Sequence, residues 1–425
     1  MKKLLGLLLA AVIAFPASAA VIKNVELTGE IQTIASDTHH ALPNEGKEFK
    51  YSRGAKTRAI AGLSFNVVED VKANVLFQYA YDWGDHNYTN NGFDNGKGMY
   101  LANANLVFSN LFGSLEATIG RQFYGDENSA VMYFGPNHYN AEGLNYARAL
   151  DAAKFVYSND TWTATIIGGK IANWTVDNMN VNKYDDYEVA MFGADVKANL
   201  TDALTAQVYG YDFQGKKEKL YYGYQWYGED THQGFYGAKI SFAPEAFRMS
   251  AEYARDMAGN RVFKEHADTG YMVKADVATD IEAVTVRGTF LYSRHFWNAY
   301  GNYVPGLLMQ PFFTSNNDTM QNVYNYSWLE GTRMFNVGMD FRPADQWTVS
   351  LDAYSFQRRS ASHTATYEFD AIVKYDYNNN VQLFAGIGYA KYGHDDTSDR
   401  QYGITYATDF SKDNTKGQLG MLVRF

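Results

Sequence analysis

Apolar and polar residues alternate along this chain in one segment after another, and nothing else in it constrains the fold as strongly. The last ten residues show the rhythm clearly. Leu419, Met421, Val423 and Phe425 fall on one face of an extended strand, and Gln418, Gly420, Leu422 and Arg424 fall on the other. A period of 2 belongs to a strand, and a strand with one greasy and one wet face must lie between two different media.

Counting such segments predicts eighteen strands. They are Lys23–Ile34, Lys56–Val67, Val71–Trp83, Met99–Phe108, Ser114–Phe123, Ala152–Ser158, Trp162–Ile171, Tyr187–Leu200 and Leu204–Phe213. The remainder are Phe235–Phe242, Phe247–Arg255, Gly270–Val277, Val284–Arg294, Arg333–Arg342, Trp347–Gln357, Thr366–Tyr377, Val381–Lys391 and Lys416–Phe425. Each has about the length that a tilted strand needs to cross a bilayer. Every even strand reaches the next odd one through a tight turn, as at Val68-Glu69-Asp70, Asn159-Asp160-Thr161, Thr279-Asp280-Ile281-Glu282 and Pro343-Ala344-Asp345-Gln346. The intervening connections are mostly long. That asymmetry fits a membrane barrel with short turns on one side and long loops on the other, and it would be unusual in a single soluble domain.

The two ends of the chain and its composition agree. Met1-Lys2-Lys3, an apolar run from Leu4 to Phe15 and then Ala17-Ser18-Ala19 have the layout of a secretory signal, with cleavage expected after Ala19. No later run is apolar and long enough for a membrane helix. Cysteine is absent, which removes disulfide frameworks, thiol catalysts and thiolate metal sites. Taking Lys2 and Lys3 from the 37 basic residues leaves 35 against 47 acidic ones, a net charge of −12 that argues against nucleic-acid binding. The fold expected is therefore all-β: a transmembrane antiparallel barrel of sixteen to eighteen strands, eighteen preferred, occupying 20–425 after the signal peptide of 1–19.

Strand parity assigns the faces. In Val71–Trp83 the outward set is Val71, Ala73, Val75, Phe77, Tyr79, Tyr81 and Trp83, with Lys72, Asn74, Gln78 and Asp82 inward. Trp162 and Trp347 open strands beside short turns, while Tyr79, Tyr81 and Trp83 close one beside a long loop, as interfacial aromatic belts do. Eighteen strands enclose more space than side chains can fill, so the inward charges line a wet lumen. Arg248, Arg287, Arg342, Asp352, Glu368, Asp370 and Lys374 are candidate lumen-wall residues. Both signs occur, and each charge is more often one half of a wall-stabilising pair than a selectivity element.

One local motif carries a resemblance. Phe112-Gly113-Ser114-Leu115-Glu116-Ala117-Thr118-Ile119-Gly120-Arg121-Gln122 resembles the fifth strand of Gram-negative porins, and it is the fifth strand in the count above. The aromatic carboxy-terminus Phe425 is similar to the way outer-membrane barrels end. The resemblance implies that the long connection Gly125–Leu150 folds into the barrel and narrows it, with loop carboxylates facing wall bases. Asp126, Glu127 and Glu142 are then the candidate acids, and Arg58, Lys72 and Arg121 the candidate bases. It also implies passive diffusion of ions and small hydrophilic solutes, assembly as a homotrimer, contact with outer-membrane lipid and lipopolysaccharide, and no cofactor. The loop departs from the enterobacterial pattern, having Phe134-Gly135-Pro136-Asn137 in place of Pro-Glu-Phe-Gly-Gly.

The strand count keeps an alternative open, because eighteen strands look more like substrate-specific channels or alginate-type exporters. An outer-membrane hydrolase is a further alternative with little behind it, since the nine histidines are scattered and no nucleophile elbow or paired-histidine metal motif occurs. The connections 219–234 and 295–328 are rich in aromatics that suit either sugar stacking or self-packing. Lys216-Lys217 and Arg358-Arg359 lie near the ends of strands on the long-loop side.

Overall fold

A computed structural model describes residues 23–39, 51–83, 98–136, 138, 144, 149–171, 189–215, 221–222, 224–225, 231–257, 270–294, 296, 306–307, 332–358, 365–391 and 414–425. These contain eighteen strands in one antiparallel sheet closed on itself. In chain order they are β1 (Lys23–His39), β2 (Tyr51–Val68), β3 (Val71–Asp82), β4 (Gly98–Leu111), β5 (Leu115–Gln122) and β6 (Leu150–Ser158). Next come β7 (Trp162–Ile171), β8 (Val189–Asn199), β9 (Leu204–Gly215), β10 (Thr231–Phe242), β11 (Phe247–Met257) and β12 (Tyr271–Ile281). The ring is completed by β13 (Val284–Arg294), β14 (Thr332–Ala344), β15 (Trp347–Arg358), β16 (Thr366–Asn378), β17 (Val381–Lys391) and β18 (Asn414–Arg424). The preferred count of eighteen is the count observed.

Each strand pairs with the next, and β18 closes the ring on β1 with Val423 opposite Ile31 and Leu419 opposite Ala35. The last residue finishes that seam. Phe425 exchanges two backbone hydrogen bonds with Gly29, at 2.8 and 3.0 Å. Its ring occupies the space a side chain at position 29 would need, since a Cβ there would meet Phe425 Cζ at 2.5 Å. Closure leaves no edge strand with unpaired backbone groups, the condition for a sheet to stand in lipid.

The alternation separates the faces as parity predicts. Val337, Ile387, Leu419 and Ile166 are more than 60% exposed, whereas their inward neighbours Asn336, Gln418 and Ile167 are buried. Tyr79, Tyr81 and Trp83 are exposed on the outer face. Trp162 packs on Tyr157 with ring centroids 5.0 Å apart, and Trp347 on Tyr375 at 4.6 Å.

Several boundaries differ from the expected ones, for local reasons. β1 and β2 run five residues further towards the long-loop end, paired from Ala35↔Ala55 through His39↔Tyr51. β10 begins at Thr231, inside what the sequence marks as an aromatic loop. The expected turn Thr279-Asp280-Ile281-Glu282 shrinks, because Asp280 stays in β12 as the partner of Arg248 and the chain reverses after Ile281, with Glu282 at φ 53°. Pro343 lies inside β14. It has no N–H for the ladder, and the register shifts there, between Phe341 and Ala344. The β4–β5 turn has Phe112 at φ 54° and Gly113 at φ 91°, successive positive φ values of the kind that tight hairpin turns use.

Candidate pore constriction

The inner wall carries the charges, and most are matched across strands. Arg287 of β13 pairs with Asp340 of β14 and, at 2.5 Å, with Asp352 of β15, whose other oxygen accepts from Asn336 at 3.1 Å. Arg248 of β11 grips Asp280 of β12 through both Nη atoms, at 2.6 and 2.9 Å. Lys274 reaches Asp276 at 3.0 Å on its own strand, and Asp276 also accepts from Ser250 and Thr289 on the flanking strands. Arg342 lies exposed at the short-turn end, and Lys374 is partly buried on the inner face of β16. Directly opposed residues in a sheet sit close enough for such pairs, so the wall stitches its own charges together.

Among the described residues, two connections reach this wall from inside. The first follows β5. Tyr124–Gly125 and Tyr133–Phe134 pair as a short ribbon, closed by Asp126, whose carboxylate accepts from the Asn128 N–H at 2.9 Å. Ser129 Oγ accepts from the N–H groups of Val131 and Met132, turning that segment toward the barrel. Val131, Met132 and Phe134 are buried with Leu150, Ile167 and Met191, which are inward residues of β6, β7 and β8. Tyr124 and the β9 residue Tyr211 share a hydrogen bond of 3.1 Å between hydroxyls. One side of this loop is thus an apolar strip laid on the inner wall.

Its far end is held by charge. On β2, Arg58 is fully buried, with Nη2 2.6 Å from Glu30 Oε1 and 3.1 Å from Gln32 Oε1, both on the inner face of β1. Nη1 donates to the Leu144 carbonyl at 3.3 Å, and Leu144 packs with Ile34 and Phe384. The second oxygen of Glu30 receives His138 Nε2 at 3.0 Å, and His138 Nδ1 meets Glu127 Oε2 at 3.0 Å. Glu127 Oε1 also accepts from the His138 backbone N–H at 2.8 Å. An imidazole with a carboxylate on each nitrogen makes both bonds only as the protonated ring. Burial alone would lower the His138 pKa, but its hydrogen bonds to Glu127 and Glu30 outweigh it and raise it above the ordinary value. Burial likewise pushes Glu127 up, and the hydrogen bond to His138 brings it below the usual carboxylate range. The sequence Arg58–Glu30–His138–Glu127 therefore runs from wall to loop with alternating charge.

The second connection joins β13 to β14. Phe296 is fully buried against Phe235 of β10, with ring centroids 5.7 Å apart. Gly306 and Leu307 sit on β16 and β18: the Leu307 N–H donates to Asp370 at 2.9 Å, and Lys416 Nζ donates to the Leu307 carbonyl at 3.1 Å. Gly306 takes φ +74°, and a Cβ there would meet Glu368 Oε1 at 2.5 Å.

Against the sequence expectations, Arg58 and Glu127 come together through Glu30 and His138, two residues the sequence reading did not select. Asp126 is spent on its own turn. Lys72 pairs with Glu26 at 2.9 Å near the short-turn end, away from the loop. Glu142 lies outside the described residues, as do the expected cleavage site and most of the connections 219–234 and 295–328. Arg121 departs furthest from expectation. It shares the parity of the exposed Ile119, pairs with Asp151 of β6 at 2.7 and 2.8 Å, and so belongs to the outer face. The inward residue beside it is Gln122, which donates to the Ala152 carbonyl at 2.9 Å. Glu368 and Asp370 lie beside Gly306 and Leu307 of the second connection, Asp370 accepting from the Leu307 N–H.

No protein-family model and no curated protein sequence matches this chain. Solved structures do. OpdO of Pseudomonas aeruginosa superposes with a TM-score of 0.61 over 95% of this chain and 98% of its own, at 11% identity. The outer membrane protein opdK of the same organism gives 0.58 over 96% and 100%, at 10% identity, and OccAB4 of Acinetobacter baumannii gives 0.56 over 94% and 98%, at 12%. Likeness at such identities is likeness of fold: over nearly its whole length, this closed barrel of eighteen strands is built like the outer membrane protein opdK.

Proposed function

We propose that the chain forms a passive, water-filled channel across the bacterial outer membrane for ions and small hydrophilic solutes. The observation that carries this reading is the sorting of the two faces: an apolar exterior suited to lipid around an interior wall lined with charge. Wall charges of both signs, set across strands from one another, give the lumen a transverse field that orients a polar solute as it passes. The described part of the connection Gly125–Leu150 narrows the passage on the β1–β9 side, and Gly306–Leu307 narrows it on the β16–β18 side. Two internal loops favour a selective channel for small solutes over a wide general pore. Signal cleavage after Ala19 and assembly as a homotrimer complete the proposal, and both are read on the exported protein by N-terminal sequencing and cross-linking.

Reconstitution in a planar bilayer tests it. Discrete current steps are expected, with reversal potentials that shift in salt gradients and steps reduced by a preferred small solute. A folded barrel that inserts and passes no current would refute the proposal.

A further inference from the structure

Between the ribbon of the first connection and the wall behind it lies a cavity of about 410 Å³. Phe123, Tyr124 and Tyr133 line it from the loop, and Lys154, Val156 and Thr165 from the wall. Its place follows from how the loop packs. Phe134 is buried with Leu150, Ala152 and Ile167 on the inner face of β6 and β7. Lys154, Val156 and Thr165 are the next inward residues towards the short turn after β6, so the cavity lies on the short-turn side of the ribbon. A volume of this size takes one small ring, and an apolar enclosure with a few placed polar groups is how small-molecule sites are built.

Each side has a definite chemistry. On the loop, Tyr133 Oη donates to the Pro136 carbonyl at 2.7 Å and Tyr124 Oη is engaged with Tyr211, so the two tyrosines offer ring surface more than hydroxyl. On the wall, Glu116 of β5, Val156 of β6 and Thr165 of β7 stand in one row. Lys154 is one inward step away, with Nζ 3.8 Å from Glu116 Oε1. That separation is beyond hydrogen-bond reach, so neither group closes a bond on the other. Their charges cancel. An anion entering here gains Lys154 and is repelled by Glu116, and a cation meets the reverse. A neutral solute that both donates and accepts meets neither repulsion. A vicinal diol does so: one hydroxyl donates to Glu116, its neighbour accepts from Lys154, and the Thr165 hydroxyl can serve a third. The C–H face of a sugar ring is apolar and faintly positive, which suits the negative face of an aromatic ring.

We propose that the cavity between the first connection and β6–β7 is a subsite for a neutral pyranose, held by tyrosine ring faces on the loop and by Lys154, Glu116 and Thr165 on the wall. The inference rests on the channel reading above and names the class of its solute.

The test is solute block of single channels of the full-length barrel in a planar bilayer, with D-glucose and D-galactose as probes. At least one sugar should reduce the open current saturably. Its half-blocking concentration should rise by about fivefold or more, the worth of one net hydrogen bond, in Glu116→Gln/Lys154→Met. Tyr133→Leu, which keeps apolar bulk and removes the ring face, should weaken block in the same direction. Arg121→Gln, on the outer face, should be blocked as the wild type is. Retained heat-modifiable gel mobility shows that the variants are folded, and open-channel noise no higher than the wild type shows that the loop stays seated. The inference is overturned if neither sugar blocks the wild type, or if the double variant is blocked within twofold of it. Equal block by mannitol, which has the hydroxyls without the ring, would overturn it in favour of unspecific crowding. Stronger block by benzoate, lost in Lys154→Met, would overturn it in favour of an anion subsite. In each of these cases the persisting current leaves the channel standing; a wild type that passes no current sinks the channel and the subsite together.

Discussion

The two connections that enter the barrel are anchored by opposite means. The loop after β5 is held by side chains: an apolar strip on β6 to β8 and the charged sequence Arg58–Glu30–His138–Glu127 at its far end. At Gly306–Leu307 the connection between β13 and β14 is held by its backbone, with the N–H and C=O of Leu307 gripped by Asp370 and Lys416 and Gly306 pressed against Glu368. A side-chain anchor depends on ionisation and can be loosened by one titration. A backbone anchor presents the same two groups at any pH, while the Asp370 and Lys416 side chains that grip them carry the charge, and it is sensitive to shape as well.

Removing Arg58 should do the most damage. Arg58→Ala leaves Glu30, Gln32 and the Leu144 carbonyl around an empty buried site, and breaking a buried pair from one side costs about 3–5 kcal/mol. The first loop should detach while the barrel persists. The expected readout is a larger, noisier current step with cation–anion selectivity altered. An unchanged step in a folded variant would mean that the charged anchor does not hold the loop.

Gly306→Ala should come next and act on the other connection alone. The substitution adds a Cβ at 2.5 Å from Glu368 Oε1 and holds alanine at φ +74°, a backbone cost of roughly 1–2 kcal/mol before any clash is relieved. Current noise should rise while the charged latch of the first loop and its pH response stay as in the wild type. If the variant instead behaves as Arg58→Ala does, the two anchors are one cooperative unit and not two independent holds.

How much of this was legible in the sequence follows from the same contrast. The eighteen strands were readable because period-2 alternation is written residue by residue, and even the outward direction of Arg121 was available. Leu115, Ala117 and Ile119 set the apolar parity of β5, and Arg121 continues it. The motif resemblance drew attention to the residue type and away from its face. Arg58 has the parity of an inward residue, and so does Glu30. His138 gave no signal, since a lone histidine in a polar loop matches no motif. Gly306–Leu307 was hidden more deeply, because its functional groups are backbone atoms that every residue has.

The charged anchor should respond to pH in a window set by its two loop groups. His138 has a raised pKa, so its contribution is complete below the unfolded value near 6.5 and is lost as pH rises through the higher folded one. Glu127 has a lowered pKa, so its contribution is present above 4.5 and is lost as pH falls through the depressed value. The loop is held best between these limits. On the alkaline side a neutral ring keeps one N–H for two carboxylates, and a hydrogen bond to a charged group, about 1.5–3 kcal/mol, is given up. Open-channel noise should climb with alkaline pH in the wild type. His138→Ala should be noisy throughout and flat on that side, and a wild type equally quiet at pH 6 and pH 9 would contradict the charged latch.

Arg121→Gln should have the smallest effect, and it separates the motif from the geometry. If Arg121 faced the lumen across from Asp126 and Glu127, removing its charge would shift the reversal potential in a salt gradient. On the outer face, paired with Asp151 and partly exposed, it contributes little to stability, because solvent-accessible ion pairs are commonly worth about 0–1 kcal/mol. Conductance, selectivity and thermal midpoint should all stay at wild-type values. A reversal-potential shift in this variant, with none in Arg58→Ala, would return the constriction to the fifth strand and undo the assignment of Arg58 as its basic centre.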